Sequence, residues 1–65
     1  MKNKKLKLAR TEKDLTQKKL AELVGVSRQT ISLIETNKYN PSLNLCIDIC
    51  KVLDKTLDDI FWNED

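Results

Sequence analysis

The sequence predicts an all-α domain of five short helices, and three observations carry that expectation. Leu, Lys, Glu, Ala and Gln, all good helix formers, dominate the 65 residues. One glycine, one proline and three aromatic residues leave too little turn chemistry and too little β-favouring side chain for a many-stranded sheet. Thr16, Ser27, Ser42 and Thr56 each stand just before an apolar-periodic run, where a hydroxyl can cap a helix by accepting from a free backbone N–H.

The elements follow in order. Leu6, Ala9, Arg10 and Lys13 mark a first helix over about residues 4–13, and Asp14-Leu15 breaks it. Thr16 caps a second, Gln17 to Val24, which puts Leu20, Ala21, Leu23 and Val24 largely on one face. Gly25 follows where a left-handed residue is needed and no Cβ penalty arises, and Val26 returns to the core. Ser27 caps a third helix, Arg28 to Thr36, with Ile31 and Ile34 inward. Residues 37–41 are a loop, and Pro41 disfavours helix at Asn40. Ser42 caps a fourth helix, Leu43 to Leu53, burying Leu45, Cys46, Ile49, Cys50 and Leu53. Asp54-Lys55 turns, and Thr56 caps a short fifth helix, Leu57 to Ile60. Phe61 to Asp65 form a tail free to run extended.

Length allows one domain, residues 1–65, with no room for a second core. A chain this size buries only about 60% of its unfolded surface, so close helix packing or a partner subunit helps it. Apolar residues at 40% and charged residues at 34% give a globular composition. With no histidine, Ser–His and Cys–His nucleophile pairs and His-containing zinc sites are excluded, and two cysteines cannot supply four zinc ligands. Asp58-Asp59 and Glu64-Asp65 are sequence neighbours that diverge on a helix, so no general acid/base pair and no enzyme is read. No metal or cofactor is expected, and no small-molecule ligand is evident. The basic start, residues 1–5, lacks a following apolar stretch and is not a signal peptide. No apolar run approaches the ~20 residues that span a bilayer. A cytoplasmic protein with reduced thiols and no membrane partner is expected.

The net charge of +2 hides an asymmetry. Residues 1–40 hold ten Lys/Arg against four Asp/Glu, a balance of +6, while residues 41–65 hold two against six, a balance of −4. Either this is ordinary solvated surface, or the basic part faces a polyanion and the acidic part faces away.

The most informative stretch is the pair of short helices joined across Val24-Gly25-Val26-Ser27. A helix-turn-helix needs a tight turn, supplied by Gly25, and a small residue at the helix crossing, supplied by Ala21. It also needs apolar residues on the facing sides: Leu20, Val24, Val26, Ile31 and Ile34. A generic helical hairpin need not place all seven together. The run Leu15 to Glu35, LTQKKLAELVGVSRQTISLIE, followed by Asn37-Lys38-Tyr39-Asn40-Pro41-Ser42, resembles the phage-repressor, Cro/Xre-type helix-turn-helix family. The resemblance extends from Leu6 to Phe61 and includes the family's small free-standing regulators. It implies a compact five-helix, lambda-repressor-like DNA-binding domain, with the helix-turn-helix at about 16–36 and dimerisation at about 54–65. It further implies binding to a double-stranded DNA operator as a homodimer and regulation of transcription. Lys19 departs from the family's frequent Glu, and Ala9 is smaller than its usual apolar residue. The first suggests a more basic backbone contact, the second a slightly thinner core.

Lys18, Lys19 and Arg28 lie in first helical turns, where the helix dipole disfavours cations. Phosphate at those N-termini reverses the sign; otherwise the side chains extend into water, with Lys18 eased by Glu22 four residues on. In a helix-turn-helix dock the second helix enters the major groove by its N-terminal end. Ser27, Arg28, Gln29, Thr30 and Leu33 then face bases or adjacent phosphates, with Arg28 suited to guanine and Gln29 to adenine. Leu33 offers only apolar contact, such as to a thymine methyl. Thr16, Gln17, Lys18, Lys19, Lys38 and Asn40 are the phosphate candidates, and Asn40 lies where it could also reach a base.

For Arg10 and Glu35 the resemblance implies a partly buried ion pair linking the first helix to the recognition helix, a structural role. Cys46 and Cys50 read as small core residues on one helical face, or as a thiol switch or partial metal site; a disulfide between positions four apart on an intact helix has poor geometry. Ile47, Leu57, Ile60, Phe61 and Trp62 are candidates for a two-fold interface, and some of them could instead complete the protomer's core. Residues 2–5 and 64–65 could pair as neighbouring tails. Two function classes result. One is a sequence-specific regulator, most often a repressor at a palindromic operator. The other is a protein-interaction module or antitoxin on the same fold, which the polar face of Arg28, Gln29 and Thr30 disfavours.

Overall fold

Four hydroxyl side chains start four of the five helices. The computed structural model describes residues 4–61 and folds them into α1 (Lys4–Glu12), α2 (Gln17–Val24), α3 (Arg28–Glu35), α4 (Leu43–Leu53) and α5 (Leu57–Ile60), with no strand among the described residues. Thr16 Oγ1 accepts from the Lys19 amide at 3.0 Å, and Ser27 Oγ from the Thr30 amide at 3.1 Å. Ser42 Oγ accepts from the Leu45 amide and Thr56 Oγ1 from the Asp59 amide, each at 3.1 Å. Asp59 answers by accepting from the Thr56 amide at 3.0 Å, a reciprocal capping box. Each cap contributes about 1 kcal/mol.

The longer helices stop alike. Asp14, Gly25, Asn37 and Asp54 follow α1 to α4 with φ of 56°, 79°, 61° and 59°. The next amide then reaches back five residues: Leu15 to the Arg10 carbonyl at 3.1 Å, Val26 to Ala21 at 3.0 Å, Lys38 to Leu33 at 2.8 Å, and Lys55 to Cys50 at 3.0 Å. These closures satisfy carbonyls that a helix end leaves orphaned. A chain with a single glycine meets the requirement at the other three ends with Asp and Asn, whose short polar side chains tolerate the left-handed region.

The five helices direct apolar side chains to one centre. Leu6, Leu20, Ile31, Ile49 and Leu53 are fully enclosed, each contributing about 1.5–3 kcal/mol by leaving water. Ala9, Ala21, Ile34, Cys50 and Ile60 complete the core, with Val24, Val26, Leu57 and Phe61 among the half-buried residues packed on it. Ala21 lets α2 and α3 approach closely, and no helix pair packs more extensively. Outside the core, Lys55 Nζ meets Glu12 Oε1 at 3.3 Å and ties the α4–α5 turn to α1. No helix among the described residues is long and apolar enough to cross a membrane.

Several sequence expectations need correction. α1 ends at Glu12 rather than at residue 13, and α3 at Glu35, with Thr36 its cap. Leu23 is 50% exposed rather than on the inner face of α2; Leu20, Ala21 and Val24 turn that face toward α3 and α4, leaving Leu23 at its edge. Phe61 is not extended: its φ and ψ of −109° and −22° continue α5, and its amide donates to the Leu57 carbonyl at 2.7 Å. Residues 62–65 and 1–3, and with them Trp62 and the suggested pairing of the tails, lie outside the described residues.

Candidate nucleic-acid interface

Helical geometry decides what α3 presents. Ile31, Ile34 and Glu35 are buried, so the opposite side of a 3.6-residue turn carries Gln29 and Leu33, flanked by Arg28, Ser32 and Thr36. Arg28 and Gln29 are exposed; Thr30, Ser32 and Leu33 are half-buried. Ser32 was missed in the sequence, although its spacing from Arg28 and Gln29, four and three residues, places it on their face.

The hydroxyls of Ser27 and Thr30 lie 3.0 Å apart, while Ser27 Oγ also accepts from the Thr30 amide. Ser27 therefore acts first as the cap of α3, and its hydroxyl is already committed to Thr30. Arg28 and Gln29 have no such tie among the described contacts, and their backbone amides, as the first of α3, have no intrahelical acceptor.

At the start of α2, Thr16 is likewise the cap, and the Gln17 and Lys18 amides lack intrahelical acceptors. Lys18 and Lys19 are exposed. Glu22 does not meet Lys18: its carboxylate stands 4.0 Å from Lys19 Nζ, at the equally close three-residue spacing. Both side chains are more than half exposed, so this pair is worth little. Neither α2 nor α3 has an acid in its first turn, whereas α5 carries Asp58 and Asp59 there, as the helix dipole favours. α1 and α4 also lack an acid in their first turns, and α1 opens on Lys4 and Lys5, so cations open all three helices of the basic first forty residues. Lys38 and Asn40 are exposed in the loop after α3, beside Tyr39, which is 47% exposed.

Behind this face lies a buried polar cluster. Arg10 Nε donates to Glu35 Oε2 at 2.7 Å and Arg10 Nη2 to Glu35 Oε1 at 3.3 Å, while Arg10 Nη1 donates to the Leu15 carbonyl at 2.8 Å. Gln17 Nε2 donates to Glu35 Oε1 at 2.9 Å. One carboxylate at the end of α3 thus gathers donors from α1 and α2. Every buried side-chain nitrogen and oxygen among the described residues has a partner. The part of Gln17 was not legible in sequence, since nothing local signals a contact spanning 18 residues.

Elsewhere, Cys46 and Cys50 are buried free thiols, and burial raises the pKa of both above the ordinary thiol value. Such thiols pack as small apolar groups and react poorly. Among the interface candidates, Ile60 is 3% exposed inside the protomer's own core, the second of the two roles the sequence left open. Leu57 and Phe61 are half-buried and partly committed to that core, and Ile47 is half-buried on α4 outside it.

A family model described as helix-turn-helix matches residues 6–60. The chain is 46% identical over its whole length to YgzD, an HTH-type transcriptional regulator of Bacillus subtilis (strain 168), covering 97% of that protein. It is 52% identical over its whole length to an HTH-type transcriptional regulator of Methanocaldococcus jannaschii, again covering 97% of it. Its fold is similar to the crystal structure of the restriction-modification controller protein C.AhdI from Aeromonas hydrophila, with a TM-score of 0.81 and 30% identity. That match covers 88% of this chain and 86% of the other.

Proposed function

Since the chain belongs to the helix-turn-helix family of Cro/C1-type transcriptional regulators, we propose that it acts in the cytoplasm as a sequence-specific repressor. On this reading it binds a palindromic operator in double-stranded DNA as a homodimer. One observation supports the reading most: the first turns of α2 and α3 carry Lys18, Lys19 and Arg28 and no acid, while their leading amides lack intrahelical acceptors. A sequence selected for stability alone would place Asp or Glu there, as α5 does. Phosphate oxygens at those N-termini convert an unfavourable arrangement into a favourable one.

Each part then has a role. α3 enters the major groove by its N-terminal end. Arg28 and Gln29 read base edges, with Ser32 and Leu33 further along the same face. Thr30 borders the groove with its hydroxyl set by Ser27. The amides and side chains at Gln17, Lys18 and Lys19 hold one stretch of backbone, and Lys38 and Asn40 hold a second. Phosphate contacts fix register and base contacts fix sequence. Ile47 and the outer parts of Leu57 and Phe61 form the two-fold contact. It sets two copies of α3 about one helical turn of DNA apart, ~34 Å.

The test is selection of bound duplexes from a random pool, followed by titration of the winning site and of unrelated duplex across salt concentrations. The reading requires a recovered inverted repeat, a large preference for it, and affinity that falls steeply with salt. A pool that yields no consensus contradicts it. Sedimentation at micromolar concentration tests the homodimer, and a strictly monomeric protein counts against that part.

A further inference from the structure

We propose that Glu35 is a positioning residue for phosphate binding: it holds the Gln17 amide so that this side chain meets a DNA backbone already oriented. The proposal rests on the DNA-reading function above. A primary amide nitrogen carries two hydrogens. In Gln17 one goes to Glu35 Oε1 at 2.9 Å, which leaves the other for an acceptor. Gln17 is half-buried and opens α2, so the acceptor it can meet is the one drawn to the leading amides of that helix. Glu35 is itself held: Arg10 donates to both of its oxygens and fastens its third donor to the Leu15 carbonyl. The clamp therefore fixes the end of α3, the α1–α2 connection and the first side chain of α2 relative to one another.

Two physical consequences follow. A loose glutamine must be immobilised on binding, at about 0.5–1.5 kcal/mol for such a side chain, whereas one held by Glu35 is immobilised on folding. The bond also fixes the plane of the amide, so its remaining hydrogen points in one direction before an acceptor arrives. Glu35 thus acts on DNA affinity through Gln17 without touching DNA.

The experiment is a double-mutant cycle on the full chain, read by fluorescence-anisotropy titration of the selected duplex. One arm is Gln17→Met, which keeps length and removes the donors. The other replaces the ion pair with apolar residues, Arg10→Met with Glu35→Leu, an exchange that commonly preserves stability. Thermal unfolding of each variant establishes that it is folded at the titration temperature. Each arm is expected to weaken binding about two- to tenfold, and the ion-pair exchange to add no further loss once Gln17 is Met. Equal losses in the two backgrounds, or undiminished affinity in Gln17→Met, overturn the proposal and leave the DNA-reading function standing. Failure of the unaltered protein to bind any duplex overturns both. If the exchanged variant does not fold, the Gln17 side-chain amide resonances of the unaltered protein decide. Slow exchange and a further shift of one amide proton on adding the duplex are expected; rapid exchange with no shift overturns the proposal.

Discussion

Arg10 and Glu35, 25 residues apart in sequence, meet at 2.7 Å with both side chains more than nine-tenths buried. This contact joins the first helix to the end of the recognition helix. Removing one partner leaves the other charged, buried and unpaired, which costs about 3–5 kcal/mol. Total stability for a domain of this size is only about 3–10 kcal/mol. Arg10→Ala or Glu35→Ala is therefore expected to leave the protein largely unfolded near 37 °C, while the paired exchange to Met and Leu stays folded. Circular dichroism melts of the three variants check this, and single variants as stable as the parent contradict it.

The left-handed helix ends predict an ordering of substitutions. An added Cβ at Gly25 meets nothing within 4 Å, so any cost of substitution is conformational. Gly25→Ala is expected to destabilise by about 1 kcal/mol, and Gly25→Asn by less, because Asn37 already adopts the same backbone region. By the same argument Asn37→Gly is expected to raise stability by several tenths of a kcal/mol up to about 1 kcal/mol. Urea unfolding of the three variants gives the order directly.

Base readers and phosphate holders separate by their response to sequence and salt. Gln29→Ala is expected to cost ~1–3 kcal/mol on the selected site and to leave binding to unrelated duplex almost unchanged. Lys18→Ala and Lys19→Ala are expected to weaken both alike and to reduce the salt slope by about one each. Titrations of both duplexes at several salt concentrations distinguish the patterns.

Acid and alkali act on different groups of neighbouring helices. Hydrogen bonds from Thr56, first its amide and then its hydroxyl, lower the Asp59 pKa below 3.8, and Lys55 and Lys5 contribute further. A depressed carboxylate stabilises the fold above its unfolded pKa, and that contribution is lost as pH falls through the folded value. The α5 cap is thus expected to loosen below about pH 3.8, with Asp59→Asn removing this part of the acid response. Amide exchange at Thr56 reports it. Cys46 and Cys50 have the opposite sign: raised by burial, they stabilise fully below the unfolded thiol value of 9.0 and lose that contribution at higher pH. Thiol-reactive reagents are expected to modify them in the native protein only as fast as it opens, and rapid labelling at neutral pH contradicts the burial.

Most of the fold was legible in the sequence because its signals are local. Thr16, Ser27, Ser42 and Thr56 announce helix starts by chemistry that acts within three residues, and Gly25 announces a left-handed stop. The stops at Asp14, Asn37 and Asp54 were less legible, since aspartate and asparagine also serve as caps and solvated charges. Leu23 misled because a single apolar residue at the border of a helical face is placed by the neighbouring helices. The role of Ile60 stayed open because α5 is short, and which of its apolar residues turns inward depends on α1 and α4. Within the candidate site, Arg28, Gln29 and Leu33 follow from periodicity, and periodicity also indicates Ser32. The tie between Gln17 and Glu35 depends on how α1, α2 and α3 close together, which no local pattern encodes.

On the proposed function the outward face of α3, with the start of α2, meets the duplex. Backbone amide chemical shifts of the isotope-labelled protein, followed while the selected duplex is added, test it most directly. The largest changes are expected at Gln17, Lys18 and Arg28 to Leu33, with smaller ones at Lys38 and Asn40 and little change across Asp58 and Asp59. Changes centred on α5, or none at the head of α3 while the duplex is bound, would contradict it.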